Sequence, residues 1–221
     1  MMLAHPAMDT VFSFDGDWVN SMVVESPDFL RGFLQDIKGQ IAGLSGEAVL
    51  SIDNVPVPFS AYADLIDDVV SFSINRKPLL NKLASRMERL AMDEAHYLQT
   101  AQLMAGLEKY LNGFSFDLPC GINCGKLSFS GVLRSAGVEI LDDYENDLER
   151  ILDYMELIRE LDRDRLFFLI NLRCFYSDME MQRFVESVCT HQHRVLLIDC
   201  VAKSRLQRER RVTIDMDLCE F

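Results

Sequence analysis

The stretch from residue 165 to residue 199 constrains the fold more than any other part of the chain. An apolar run at residues 166–172 is broken by a single asparagine, which makes it too continuous for a strand with one wet face and too short for a free-standing helix. Ser177 then offers a helix-capping side chain, and apolar residues recur at helical spacing until a second apolar run begins at Val195. The stretch therefore predicts a strand, a helix and a second strand, with the two strands parallel and joined by a right-handed crossover.

The composition is that of an ordinary globular protein, with 49% hydrophobic and 26% charged residues in a chain of 221. A chain of this length forms one domain or two. No apolar run approaches the roughly 18 residues of a membrane span, and residues 1–8 lack the pattern of a secretion signal. Six cysteines in such a chain indicate reduced thiols, so we expect a cytoplasmic protein that is not inserted in a membrane.

The charge is unevenly distributed along the chain. The formal net charge is -13, and residues 139–164 alone carry eleven acidic side chains against three arginines. Residues 203–211 carry five basic side chains against one glutamate. The net charge argues against a polyanion partner on average, but this segregation leaves individual surfaces free to bind phosphate.

The N-terminal part alternates between short apolar runs and turn signals. Asp15-Gly16-Asp17 separates two such runs and predicts a hairpin of residues 10–14 and 19–24. Ser26 followed by a proline predicts a helix that continues to Gly43. Further along we expect a strand at residues 49–52, an acidic turn or short helix at residues 64–68 and a strand at residues 69–74.

The middle of the chain changes to long amphipathic patterns. Apolar residues repeat every three or four positions from residue 77 to residue 113, which predicts a two-helix arm. Residues 114–126 contain a proline and several small residues and predict a loop with a little strand. The remaining elements that we expect are a short helix at residues 128–137, a long helix at residues 142–162 and an edge strand at residues 211–217.

These elements define an α/β fold class with two domains. The strand patterns lie at both ends of the chain, and the middle is helical. We therefore predict an α/β head domain built from residues 1–76 and 160–221, with a parallel or mixed sheet. An all-helical leg domain, residues 77–159, projects from it.

A glycine-rich stretch, Gly121 to Ser128, resembles a phosphate-binding loop but does not fit it. The loop needs four residues between its first glycine and the Gly-Lys pair, and this stretch has three. Leu127 also stands where a magnesium-binding hydroxyl must follow Lys126. Asp199, at the end of an apolar run, resembles the acidic strand end that holds magnesium in nucleotidases. A nucleotide- or metal-dependent phosphohydrolase with a degenerate phosphate loop, using Lys126 and Asp199, is therefore the alternative function.

Other chemical motifs are weaker. Cys120 with Cys124, and Cys189 with His191 and His193, lack the spacing of a zinc finger. No serine-hydrolase elbow, zinc-protease helix or cysteine-protease arrangement occurs in the sequence. The sequence therefore predicts no catalytic residues and no enzyme.

Basic side chains are concentrated in two places that are suited to DNA. The first group lies on the first arm helix or its approach, and the second follows the strand that ends at Asp199. Either group alone is typical of a solvated face. The candidate DNA-binding residues are Arg76, Lys77, Lys82, Arg86 and Arg89 in the first group and Lys203, Arg205 and Arg208 in the second.

Several short stretches occur in a characteristic order. They are Asp64-Leu65-Ile66-Asp67 leading to Asn75-x-Lys77, Val132 to Glu139, Leu166 to Leu172 with Tyr176 and Asp178, Leu197-Ile198-Asp199, and Ile214-Asp215-x-Asp217. Each is weakly specific, whereas the ordered set is much more so and covers nearly the whole chain. On these residues the chain resembles the ring-forming Csn family, the small accessory proteins of type II-A CRISPR spacer acquisition.

The resemblance implies a nucleotidase-like head without an intact phosphate loop, a helical leg and no catalysis. It also implies a homotetrameric ring that holds double-stranded DNA, especially free ends, without reading its sequence. The implied partners are the CRISPR integrase pair and the RNA-guided nuclease. Calcium (Ca2+) is implied as a structural ion, and the candidate ligands are Asp142, Asp143, Glu145 and Glu149.

A third hypothesis is a protein-only scaffold whose acidic helix, residues 142–162, docks a basic partner.

Overall fold

The computed structural model describes residues 1–123 and 125–221, which form two compact units. The first unit comprises Met1–Phe72 and Tyr144–Phe221, and the second comprises Ser73–Asp143. In chain order the elements are β1 (Met2–Ala4), β2 (Phe12–Ser13), β3 (Val19–Val24), α1 (Pro27–Ile41), β4 (Val49–Ile52), β5 (Val55–Val57), α2 (Phe59–Tyr62), β6 (Ala63–Ile66), α3 (Lys77–Ala91), α4 (Tyr97–Gly113), α5 (Phe129–Ala136), α6 (Asp147–Leu161), β7 (Leu166–Ile170), α7 (Asp178–Thr190), β8 (Arg194–Asp199) and β9 (Glu209–Ile214). Short 3-10 helices lie at Phe114–Phe116 and Leu172–Cys174.

The first unit is built on a five-stranded parallel sheet. Its strand order is β6-β7-β8-β3-β9, and every neighbouring pair runs parallel. The predicted strand, helix and second strand are β7, α7 and β8, which confirms the α/β class and the parallel pairing. Ser177 caps α7 in a capping box with Glu180, as the sequence indicated. β9 confirms the predicted edge strand, although it begins two residues earlier.

Both faces of this sheet are covered, which explains the unbroken apolar runs. All five residues of β7 are buried, and successive side chains point to opposite faces. Phe168 packs with the Phe59 ring at 6.4 Å on the face that α1 covers, while Phe167 meets the Tyr154 ring of α6 at 6.2 Å on the other. A strand buried on both sides has no polar alternation, as the sequence of β7 indicated.

A second, antiparallel sheet lies in the same unit, with strand order β2-β1-β4-β5. The predicted hairpin of residues 10–14 and 19–24 is therefore wrong, because β2 and β3 belong to different sheets. The turn between them is nevertheless tight. A β-carbon at Gly16 would lie 2.0 Å from the Trp18 ring, so only glycine fits beneath the indole.

Three further local predictions differ from the structure. Residues 64–68, predicted as a turn or short helix, contain most of β6, where Asp64 accepts a hydrogen bond from the Tyr154 hydroxyl at 2.5 Å. Residues 69–74, predicted as a strand, form turns and bends. Within the described part of residues 114–126 a 3-10 turn is present and no strand. Each error concerns a short segment whose state depends on partners distant in sequence.

The second unit is helical and contains α3, α4 and α5. Ser128 caps α5, and Gly137 ends it in the left-handed conformation, with φ 62°. The predicted leg of residues 77–159 extends beyond this unit, which ends at residue 143. The difference is α6, whose apolar stripe covers the parallel sheet of the first unit with Tyr154, Met155 and other buried side chains.

Candidate nucleic-acid interface

Part of the first basic group forms a stripe on α3. Lys82, Arg86 and Arg89 are spaced by four and three residues, which places them on one face of the helix over about 10 Å of its length. Arg86 and Arg89 are exposed, and Lys82 is half-buried. We call these three residues the α3 stripe. Arg76, at the N-cap, and Lys77, in the first turn, lie at the start of the same helix.

The charge around the α3 stripe is balanced. The second unit contains eight basic and eight acidic side chains, so its formal charge is zero and the whole -13 belongs to the first unit. Glu88, next to Arg89 in sequence, is rotated by about 100° around the helix. A polyanion that approaches the α3 stripe therefore meets little acidic repulsion from this unit.

Most cations of the second basic group contact other groups of the protein itself. The Lys203 ammonium donates a hydrogen bond to the main-chain oxygen of Arg173, and Arg208 forms an ion pair with Asp17. Arg211 donates to the main-chain oxygen of Lys203 at 2.6 Å. Arg205 is exposed, and within residues 1–123 and 125–221 it forms no ion pair. Most of these cations thus fix the loop between β8 and β9, and Arg205 presents the least compensated charge to solvent.

A buried ionic cluster holds this loop. Arg173 is 2% exposed and donates to the main-chain oxygen of Ser204 at 2.6 Å. Its guanidinium also lies 3.2 Å from Asp178 and 3.7 Å from the buried carboxylate of Glu209. Loss of one partner in such a cluster leaves an uncompensated buried charge, which is strongly destabilising.

Asp199 lies beside this cluster at the end of β8. Its side chain is buried, and one carboxylate oxygen, Oδ1, has no hydrogen-bond partner in the described part of the chain. Burial raises the pKa of Asp199 to about 6, and the nearby Arg173 opposes that rise. Lys126, the other residue of the phosphohydrolase hypothesis, is exposed in the second unit before α5.

The connection that follows the interior strand β3 does not resemble a phosphate loop. Only Glu25 and Ser26 separate β3 from α1, whereas the loop is glycine-rich and ends in Gly-Lys. The Ser26 hydroxyl accepts a hydrogen bond from the Phe29 amide at 3.4 Å, and Pro27 has no amide hydrogen. A hairpin strand does not lead into a phosphate loop, so the wrong hairpin prediction for residues 19–24 left the Glu25-Ser26 connection unrecognised.

The four candidate calcium ligands are surface carboxylates near the junction of the two units in sequence. Asp142 accepts a hydrogen bond from the Ser73 hydroxyl at 2.9 Å, and all four residues are exposed. Asp142 and Asp143 lie in the second unit, whereas Glu145 and Glu149 lie in the first. In the part of the sequence that the structure covers, no three histidine, cysteine, aspartate or glutamate side chains are grouped to hold a metal.

The cysteine and histidine candidates have structural surroundings. Burial raises the pKa of the Cys189 thiol. Burial also lowers the pKa of His193 to about 4, although Glu156 lies 3.5 Å from its ring. Cys120 is exposed, and Cys124 lies outside the described residues.

The acidic helix α6 presents its exposed carboxylates on one face. Glu145, Glu149, Asp153 and Glu160 follow one another at helical spacing, with Glu145 just before the helix. Asp153 accepts a hydrogen bond from the Tyr144 hydroxyl at 2.8 Å. None of the helices in the covered residues combines the length and apolarity of a membrane span.

Fold and site together define an α/β protein with a parallel-sheet unit, a helical unit and a basic helix face. Residues 43–218 match the model of the family described as CRISPR-associated protein (Cas_Csn2). The chain belongs to this family, which is a type II-A accessory family, and the resemblance seen in the sequence is thereby confirmed.

The fold is also similar to that of a solved structure, Stu0660 of Streptococcus thermophilus. The TM-score is 0.57 at 12% sequence identity, and the match covers 90% of this chain and 68% of the other. No curated protein matches the sequence.

Proposed function

We propose that the protein is a non-catalytic ring of four copies that binds double-stranded DNA, especially its ends, without reading sequence during CRISPR spacer acquisition. The family supports the CRISPR-associated role. The observation that carries the DNA-binding part is the α3 stripe, because its cations lie on the unit whose formal charge is zero.

The α3 stripe suits phosphate rather than bases. Duplex DNA carries a charge every 3.4 Å or so along each strand, so a stripe of about 10 Å can meet a few consecutive phosphates. Phosphate contacts of this kind position a protein on DNA but carry no sequence information. Three contacts from one copy give weak binding, and four copies whose stripes face a common lumen multiply them.

The acidic first unit fits the same arrangement. In a closed ring the net charge of -13 per chain can face outward. Repulsion between these negative charges also keeps neighbouring rings apart. We infer that calcium, if it stabilises the ring, takes carboxylates from more than one copy, because the described part of one chain groups no three of them. The integrase pair and the RNA-guided nuclease are the proposed partners.

We also infer that the first unit is a nucleotidase-like sheet that has lost its phosphate loop. The parallel strand order supports this origin, and the two-residue connection Glu25-Ser26 lacks the loop's residues. The absence of an intact loop supports a binding protein over the phosphohydrolase.

Gel shifts with linear and closed circular DNA of one sequence, across a salt series, test the proposal. Linear DNA is expected to bind and closed circles are expected to bind far less, because a closed ring must thread a free end. Equal binding to both forms, or binding that ignores salt, would contradict threading. ATP hydrolysis that is lost in Lys126→Ala would favour the phosphohydrolase instead.

Native mass spectrometry with and without calcium and a short duplex tests the assembly separately. We expect tetramers, strengthened by calcium, that retain one duplex. A monomer in the presence of calcium would contradict the ring, and tetramers that ignore DNA would support the protein-only scaffold.

A further inference from the structure

A cavity of about 440 Å³ opens in the first unit at the carboxyl ends of the parallel strands. Its apolar lining comes from β3, β6 and β7 and from one face of α1. These side chains are Val24, Leu65 and Ile170 from the strands and Leu30 and Leu34 from the helix. A cavity of this size and lining is typical of small-molecule sites.

The cavity lies where the chain leaves the sheet in two directions. β3 continues into α1 on one face, whereas β7 continues through the 3-10 turn at Leu172–Cys174 into α7 on the other face. Glu25, after β3, and Cys200, after β8, both border the cavity. In open parallel sheets, ligands bind outside the carboxyl ends of the strands at such a switch point.

The rim of the cavity does not favour anions. Arg31 pairs with Asp28 at 2.5 Å, and Lys38 pairs with Asp67 at 2.9 Å. Glu25 is exposed at the same rim, and within the described residues it forms no ion pair. Two carboxylates and two cations thus border the cavity, both cations are already paired, and the capped start of α1 offers no free amide cradle for phosphate.

We propose that this cavity binds a small, mainly apolar molecule that carries no negative charge. The apolar floor accounts for most of the binding free energy, as expected where buried apolar surface meets an apolar ligand. Gln35, exposed on the rim, supplies an amide donor and acceptor that can orient a polar group. The site is separate from the α3 stripe, which lies in the second unit.

Two fluorescent probes that share one ring system test the proposal. N-phenyl-1-naphthylamine is uncharged, and 1-anilinonaphthalene-8-sulfonate adds a single sulfonate. The uncharged probe is expected to bind the full-length protein saturably, at one site per chain, and about tenfold more tightly than the sulfonate. No saturable binding, or tighter binding of the sulfonate, would overturn the proposal.

Substitutions then locate the site. Leu34→Trp fills the cavity and is expected to weaken binding of the uncharged probe by about tenfold or more. Leu44→Trp, at a residue that is 70% exposed and outside the cavity, is the matched control and should leave binding unchanged. Gln35→Trp narrows the mouth from an exposed position and replaces Leu34→Trp if that variant does not fold.

An apolar cleft in the second unit provides the decisive comparison, since Ala101 lines it. Binding that is lost in Ala101→Trp but kept in Leu34→Trp would place the probe in that cleft and overturn the assignment. Binding lost in the α1 variants alone supports it.

Discussion

The two units of this molecule use burial and charge in opposite ways. The first unit covers its parallel sheet on both faces and carries the whole surplus of -13. The second unit is neutral, and its long helix α4 leaves Tyr97, Leu98 and Tyr110 more than half exposed, at 58%, 68% and 66%. The acidic unit thus contains the buried core that stabilises the fold. The neutral unit exposes apolar side chains on α4 that one chain leaves in contact with solvent.

Exposed apolar residues of this kind have a physical consequence. Contiguous apolar surface on a globular protein marks interaction sites, because water is displaced when a partner covers it. Tyr97, Leu98 and Tyr110 lie on different sides of α4, so the proposed ring would need more than one neighbouring surface to cover them.

The largest effect is expected from the core of the first unit. Phe168→Ala removes a ring that is 0% exposed in β7, and the cavity left behind should lower the free energy of unfolding by about 3–5 kcal/mol. Urea unfolding followed by circular dichroism measures this loss. Phe175→Ala, at a residue that is 58% exposed, is the control and should change stability by less than about 1 kcal/mol. Similar losses in both variants would contradict the two-sided core.

The ionic cluster of the first unit should make stability depend on pH. The pKa of Asp199 is raised to about 6 in the folded chain, above its ordinary value of 3.8, so the folded state holds this proton more tightly than the unfolded state. The contribution of Asp199 therefore falls as pH rises from about 4 to about 6, by a few kcal/mol at most. Asp199→Asn does not titrate and should be more stable than the parent above pH 6.

Urea unfolding of both proteins at pH 4.5 and pH 7 measures this difference. The gain in Asp199→Asn should be larger at pH 7 than at pH 4.5. A variant that loses more stability at pH 7 than at pH 4.5 would show that the Asp199 carboxylate is a favourable partner of Arg173 and not a buried cost.

Local pattern predicted the part of the fold in which each segment carries its own signal. β7, α7 and β8 were found because continuous apolar runs and a Ser177 cap are readable without knowledge of partners. The start and end of α5 were likewise readable from Ser128 and Gly137. These signals are chemical properties of the segment itself.

The errors arose where distant partners decide the structure. β3 pairs with β8 and β9, which lie 176 to 190 residues further along the chain, and no local pattern in the Asp15-Gly16-Asp17 turn reveals this pairing. β6 contains Asp64, which is tolerated because Tyr154 of α6 donates to it. The amphipathic pattern of α6 showed that one face of the helix is buried. It did not show whether that face packs in the sheet unit or in the helical unit.

The two basic groups of the candidate interface also differ in how much of their role the sequence alone could predict. Helical spacing alone placed Lys82, Arg86 and Arg89 on one face. The second basic group could not be judged from sequence, because the partners of Lys203 and Arg208 are a main-chain oxygen and Asp17. Sequence shows where cations occur, whereas only the fold shows which of them are already compensated.

The difference between the two basic groups can be measured by salt dependence. Replacing the α3 stripe with glutamine should weaken DNA binding and reduce the slope of log affinity against log salt by about two per engaged stripe, from the exposed Arg86 and Arg89. The matched variant Arg205→Gln with Arg208→Gln should change the slope by about one, because Arg208 is already paired with Asp17. Fluorescence anisotropy with a short duplex at several salt concentrations gives both slopes.

Equal slopes in the two variants would show that the second group contacts DNA as much as the first. A larger change in the second variant would move the interface to the acidic unit and reverse the comparison between the units. Either variant should keep the stability of the parent, since the α3 stripe and Arg205 are at least partly exposed.

The smallest expected effect compares the helix caps of the two units. Ser177→Ala removes the side chain of a capping box at α7, in which the Glu180 carboxylate also accepts a hydrogen bond from the Ser177 amide at 2.8 Å. Ser128→Ala removes a single cap at α5, where the hydroxyl accepts from the Gly131 amide at 3.1 Å. Each should cost about 1 kcal/mol, with Ser177→Ala the larger because it breaks a reciprocal pair. Unfolding midpoints in urea measure both losses, and a larger loss in Ser128→Ala would show that the helical unit depends on its local signals more than the sheet unit does.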